Sequence, residues 1–202
     1  MTLRRTVLPA LCVTTAWLTL VLGAGAAGRT PSSPQAQQFQ QKLRSIEENA
    51  GRTTVRPQRV TLFESELNAF LGGPGATLPA GILNPKVTLL GSGQVSGTAI
   101  VDLDAVRKSS QSSAFSPMAY LSGKLPVSVT GVLTSHDGQA QFALQSAQVN
   151  GLSVPKVLIN ELVAYYLRSA DLPSGLSLDS PFPLPDRIKQ IDVQRGQAII
   201  IQ

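Results

Sequence analysis

The sequence predicts an α+β domain: a curved antiparallel β-sheet built from hairpins and wrapped around a long apolar helix, behind an N-terminal signal or anchor. Three observations carry this. The segment 153–168, SVPKVLINELVAYYLR, is apolar over far more than one face. Alternating polar and apolar runs, punctuated by turn pairs such as Asp137-Gly138, surround it in the chain. Arg4 and Arg5 precede an uncharged apolar run over residues 7–22.

That N-terminal run is about 16 residues long, short of the roughly 20 that a spanning helix needs. It ends at Ala24-Gly25-Ala26, small residues of the kind a signal peptidase accepts. A cleaved secretory signal is the first expectation and an uncleaved anchor the alternative. Both place the protein outside the cytoplasm, periplasmic or otherwise in the cell envelope. Cys12, the single cysteine, lies within the run, so the rest of the chain can form no disulfide. Without Arg4 and Arg5, 15 basic residues stand against 12 acidic ones. This mild excess admits weak attraction to an anionic membrane surface. It offers no clustered basic footprint in the sequence for nucleic acid, and it names no protein partner. The expected organisation is a signal or anchor over 1–27, a linker with an amphipathic helix over 28–55, and a single α+β domain over 56–202.

The elements follow in order. GRTPSSP (28–34) is a linker by composition. Phe39, Leu43 and Ile46 recur at helical spacing and predict a thinly apolar helix, loosely docked on the surface. TLFESELNAFL (61–71) predicts a second helix, with Thr61 as cap and Glu64 closing a capping box; Glu66 falls on its polar side. Gly72-Gly73-Pro74-Gly75 stops it. Residues 86–90 and 94–103 predict a hairpin through Gly91-Ser92-Gly93. Val95, Gly97, Ala99, Val101 and Leu103 share one face of it, and the small residues at 97 and 99 leave space there. The polar, Ser-rich stretch 104–123 predicts a long loop or crossover. Residues 126–135 and 139–149 alternate on either side of Asp137-Gly138, a type I′ hairpin signal.

Pro155 then opens the apolar helix at a position where proline is tolerated. At about 100° per residue its apolar side chains sweep an arc of roughly 200°, against little more than 100° for a surface helix. Such a helix needs apolar cover on several sides. SPFPLPD (180–186) predicts an edge-like extended connection. A last hairpin, 188–194 and 197–202, turns at Arg195-Gly196, and Ile199-Ile200-Ile201 predicts a strand covered on both faces or one at a contact surface.

Catalytic chemistry has little to stand on. The chain contains no G-x-S-x-G, H-E-x-x-H or Walker A pattern. His136, the one histidine, flanks a turn and lacks the Cys or His partners of a zinc site. Glu64 serves the helix cap and Glu66 lies on the polar side, and Asp102 and Asp104 read as a solvated strand end. The expectation is a protein that is not an enzyme, with no cofactor and no metal.

The order from TLFESELNAFL through the hairpins, the apolar helix, LDSPFPLPDRIKQIDV and the final Gly-turn strand resembles bacterial envelope domains of unknown function that share the tubular lipid-binding architecture. The mycobacterial lipoarabinomannan-maturation protein type and related membrane-tethered Bacillus domains are examples. The resemblance covers roughly 61–202. It implies a long curved sheet around a helix and an apolar groove that accepts acyl chains; it transfers no ligand contact to a particular residue. The sequence-based expectation is therefore an envelope protein that binds lipid or another amphiphile. Its groove would be lined by Leu158, Leu162, Tyr165 and Tyr166 of the helix and by Phe142, Val129 and Ala99 of the strands. The competing expectation is a non-catalytic structural or interaction domain with a filled core.

Overall fold

Two antiparallel sheets, rather than one sheet around a helix, organise the chain. The computed structural model describes residues 33–105, 122–157, 159 and 180–202. Their elements are α1 (Pro34–Ala50), β1 (Arg59–Phe63), α2 (Glu64–Leu71), β2 (Ile82–Gly91), β3 (Gln94–Asp102), β4 (Lys124–His136), β5 (Gln139–Val149), β6 (Leu152–Ser153), β7 (Phe182–Pro183), β8 (Gln190–Gln194) and β9 (Gln197–Ile201). Strand accounts for 47% and helix for 23% of these residues, and neither helix is long and apolar. The expected α+β arrangement, a sheet wrapped around a long apolar helix, is thus corrected. Most of the segment 153–168 lies outside the described residues. The described sheets find their burial against each other and against the two amphipathic helices.

The smaller sheet has the order β1-β9-β8, with β9 in the centre. Ile200 faces the core and is fully buried, while Ile199 and Ile201, on the opposite face, are half-buried. The larger sheet runs β2-β3-β4-β5-β6, and β7 pairs with the start of β5. Asp137 (φ 50°) and Gly138 (φ 78°) occupy the left-handed conformations that a type I′ turn requires.

The two sheets are stitched at one end of the larger. Ser135 Oγ donates to Ile191 O (2.9 Å) and accepts from Ile191 N (2.7 Å). Gly93 N donates to Val193 O, and Gly138 N to Lys189 O. Beneath this junction the main core gathers Phe39, Ile46, Leu62, Leu67, Phe70, Val87, Leu89, Ile191, Val193 and Ile200.

Both helices depart from their sequence-based readings. α1 is not loosely docked: Phe39 and Ile46 are fully buried, and the Phe39 and Phe70 rings lie 5.0 Å apart. The stripe is thin, yet it enters a core made by other elements. The helix predicted from 61 begins at Glu64, because residues 59–63 pair as β1 with β9, Thr61 opposite Ile199. Thr61 therefore cannot cap. Glu66 closes the helix start instead, accepting from Phe63 N at 3.2 Å, and its buried carboxylate takes both oxygens to Lys42 Nζ of α1 (2.7 and 2.8 Å). Glu64 reaches Leu89 N of β2 at 2.7 Å.

Candidate functional site: the apolar face of the long sheet

Side chains alternate across a strand, so the register of the larger sheet sorts its residues into two faces. Ala99 pairs with Val127, Gly97 with Val129 and Val95 with Gly131; Val127 pairs onward with Val149, Val129 with Ala147 and Leu133 with Phe142. All of these lie on one face, which is apolar throughout. The opposite face is mainly polar, with Ile100 and Val132 as apolar exceptions: Ser96 and Thr130 hydroxyls meet at 3.0 Å, and Gln94 Nε2 donates to Gln145 Oε1 at 2.7 Å.

The bulge between Thr130 and Gly131 matters here. Two residues of β5, Gln145 and Ser146, oppose the single Thr130, so Leu144 and Ala147 both stay on the apolar face despite their odd spacing. Both are buried, with Phe142 and Ile159, in a second apolar cluster that Val129 and Val154 flank. The bulge sits where space is tight: a Cβ on Gly131 would approach Phe142 Cζ to 2.5 Å.

Three of the predicted site residues thus share this face, Val129 packing on the Phe142 cluster and Ala99 standing opposite Val127, six positions along β4 from the partner of Phe142. Phe142 is buried, while Val129 and Ala99 are half-buried on the same face. Leu158, Leu162, Tyr165 and Tyr166 lie outside the described residues. Sequence reasoning left Leu125 and Ala147 out of this face. Leu125 stands opposite Val101, before the alternation of β4 becomes regular, and Ala147 was hidden by the bulge.

Towards the end of the sheet away from the junction, this face is only half covered. Ala99, Val101, Leu125, Val127 and Val129 are all half-buried, whereas Val95, nearer the junction, packs against the main core. Among the described residues nothing lies within 4 Å of a Cβ placed on Gly97. The strip spans the five positions 97–101, about 13 Å at roughly 3.3 Å per residue. Its side chains offer no hydrogen-bonding group.

Two open clefts are found elsewhere. One of about 660 Å³ lies between Phe63, Glu64, Leu90, Gln94 and Arg195. The other, about 530 Å³, lies between α1 and β1, beside Gln41, Lys42 and Phe63. Among the described residues, neither borders a predicted site residue.

The polar residues weighed in the sequence have local duties. Asp102 Oδ1 accepts from the backbone N–H of Asp104 and Ala105, and Asp104 Oδ2 from that of Gly123. His136 is exposed beside Asp137 (2.9 Å). Among the described residues no group of three or more His, Cys, Asp or Glu could hold a metal ion. Glu47 and Asp186 carry raised pKa values, far along the chain from the apolar strip. Burial is the main cause for Glu47, with the Asp186 charge next; for Asp186 burial alone acts.

No family model, curated protein or solved structure matches the chain.

Proposed function

We propose that this is an exported or membrane-tethered envelope protein that holds the acyl portion of a lipid or other amphiphile against the apolar face of its larger sheet. The observation that carries the proposal is the half-covered strip of Ala99, Val101, Leu125, Val127 and Val129, with open space over Gly97 among the described residues. A polar ligand lying there would leave its hydrogen-bonding groups unmatched, at a cost of some kilocalories each. An extended acyl chain would leave none. Its burial contributes roughly 25 cal/mol per Å² of apolar surface. The N-terminal sequence supports an envelope location, where such ligands are plentiful.

A structural envelope domain is the competing reading. It is favoured by Ile159 and Val154, by which the chain itself covers the Phe142 end of the face. The two readings part on one substitution. Gly97→Phe fills the strip at a site where the added side chain meets nothing described, and it replaces a residue that weakens strands. Under the lipid-binding reading, native mass spectrometry of the purified protein detects a lipid adduct. The variant loses that adduct and weakens uptake of a fluorescent fatty acid at least about tenfold, the scale of 1.4 kcal/mol, with its melting temperature kept. A wild-type protein with no adduct and no fatty-acid binding would overturn the lipid-binding reading.

A further inference from the structure

The smaller sheet has a second feature, at the end opposite its Arg195-Gly196 turn. Gln202 is fully buried there and acts as a hub. Its Oε1 accepts from Asn49 Nδ2 (3.1 Å) and Gln58 Nε2 (2.6 Å), and its Nε2 donates to Ile46 O and Asp186 O. Asn49 in turn donates to Arg56 O and accepts from Arg56 N. Arg59 pairs with Ile201, and Lys189 N donates to Ile201 O. Arg187 Nη1 donates to Arg52 O. These bonds gather the backbones of Arg52, Arg56, Arg59, Arg187 and Lys189 around one point, although they come from two separate stretches of sequence.

All five are exposed, and none forms an ion pair among the described residues. The acidic groups at the same pole are Glu47, Glu48 and Asp186. Among the described residues the Arg187 guanidinium bonds only a backbone carbonyl, and the other side chains of the group are exposed. No large apolar side chain stands exposed among them, since the exposed ones are Phe63, Leu83, Leu90, Leu152 and Val157. A protein interface normally centres on buried aromatic or apolar anchors, and single-stranded nucleic acid on aromatic stacking platforms. Among the described residues this pole has neither. What it offers is a set of planar forks suited to phosphate oxygens.

We propose that the pole formed by Arg52, Arg56, Arg59, Arg187 and Lys189 docks the protein on a bilayer of anionic phospholipid. The docking pole is distinct from the apolar strip and does not depend on acyl-chain binding there. It gives an exported protein a fixed orientation at the membrane surface.

The test is co-flotation of the full chain with phosphatidylcholine vesicles, with and without about a third of phosphatidylglycerol. The N-terminal apolar run contributes to both vesicle types, so the quantity read is the ratio of the two partition coefficients. Each basic residue near an anionic surface contributes about fivefold. The triple variant Arg52→Gln/Arg56→Gln/Arg59→Gln should therefore lower the phosphatidylglycerol preference at least about tenfold. The control Lys86→Gln/Lys124→Gln/Arg195→Gln removes the same charge elsewhere and should hold the preference within about twofold. Raising the salt should erase the wild-type preference. Should the first variant fail to fold, Arg187→Gln/Lys189→Gln makes the same test from the other stretch. Equal losses in pole and control variants would overturn the proposal, since net charge would then suffice. So would an unchanged preference in the pole variants, or a wild type that ignores phosphatidylglycerol yet binds a soluble polyanion.

Discussion

Asp186 sits where several constraints meet. Its φ of 51° is left-handed, its carbonyl accepts from the buried Gln202 amide, and its carboxyl lies near Glu47. Burial raises its pKa above the ordinary 3.8. The folded chain therefore binds this proton more tightly than the unfolded one, so ionisation costs stability. The sign is fixed by linkage: stability falls as pH rises from about the unfolded value through the higher folded one, and the cost persists at neutral pH. Asp186→Asn removes the charge while keeping a residue type that tolerates left-handed backbone. The variant should unfold at higher urea concentration than wild type at pH 7. The two should converge below the ordinary value of 3.8, where the wild-type carboxyl is protonated in both states. A variant less stable at pH 7, or a gap that persists in acid, would show that burial of this carboxyl carries no such cost.

At the scale of elements, α2 does something its amphipathic pattern does not announce. It seals the open edge of β2 with side chains. Asn68 Nδ2 donates to Val87 O and Asn68 Oδ1 accepts from Val87 N, both at 2.7 Å, as a neighbouring strand would; Glu64, one turn earlier, accepts from Leu89 N. An unpaired edge invites pairing with other chains, and this one is occupied. Asn68→Ala strips Val87 of both partners and should cost about 2–3 kcal/mol, at roughly 1 kcal/mol or more per bond, measured by urea unfolding. It should also speed hydrogen exchange at the Val87 amide. Ser65→Ala, exposed on the same helix, should stay within about 0.5 kcal/mol. The hairpins were legible in the sequence because a turn pair such as Asp137-Gly138 and strict alternation are local signals. The start of α2 was misread for the converse reason. Thr61 and Glu64 match a capping box in isolation, but Thr61 is claimed by pairing with Ile199, 138 positions away. Likewise α1 looked peripheral because Phe39, Leu43 and Ile46 form a narrow stripe. Its burial is decided by the hollow that Phe70 and the smaller sheet present, which no local window contains. Of the candidate site, the shared face of Ala99, Val129 and Phe142 followed from alternation alone. The place of Ala147 did not, because a bulge changes the parity of a strand without leaving a distinctive residue.

For the molecule as a whole, apolar burial is unevenly distributed. The main core lies where the smaller sheet, both helices and the near end of the larger sheet converge, and the stitching of Ser135 to Ile191 belongs to the same region. Beyond it, the larger sheet extends with half-buried apolar residues on one face and hydroxyl and amide side chains on the other. Local opening is easiest where few apolar contacts are buried. The basic pole is at the far end of the smaller sheet, so a bilayer held there would be engaged by the rigid part of the molecule and leave the apolar strip free to respond to a ligand. Hydrogen exchange measures this division directly. Amides of 87–95 and 191–201 should be the best protected, and those of 99–102 and 124–128 should exchange at least about tenfold faster, a difference of 1.4 kcal/mol in opening free energy. Adding a long-chain fatty acid should raise protection in 99–102 and 124–128 and leave the core nearly unchanged. Anionic vesicles should instead protect residues 52–59 and 187–189. Uniform protection along the larger sheet would contradict the division into a rigid end and a responsive end, and fatty-acid protection confined to the core would move the ligand away from the strip.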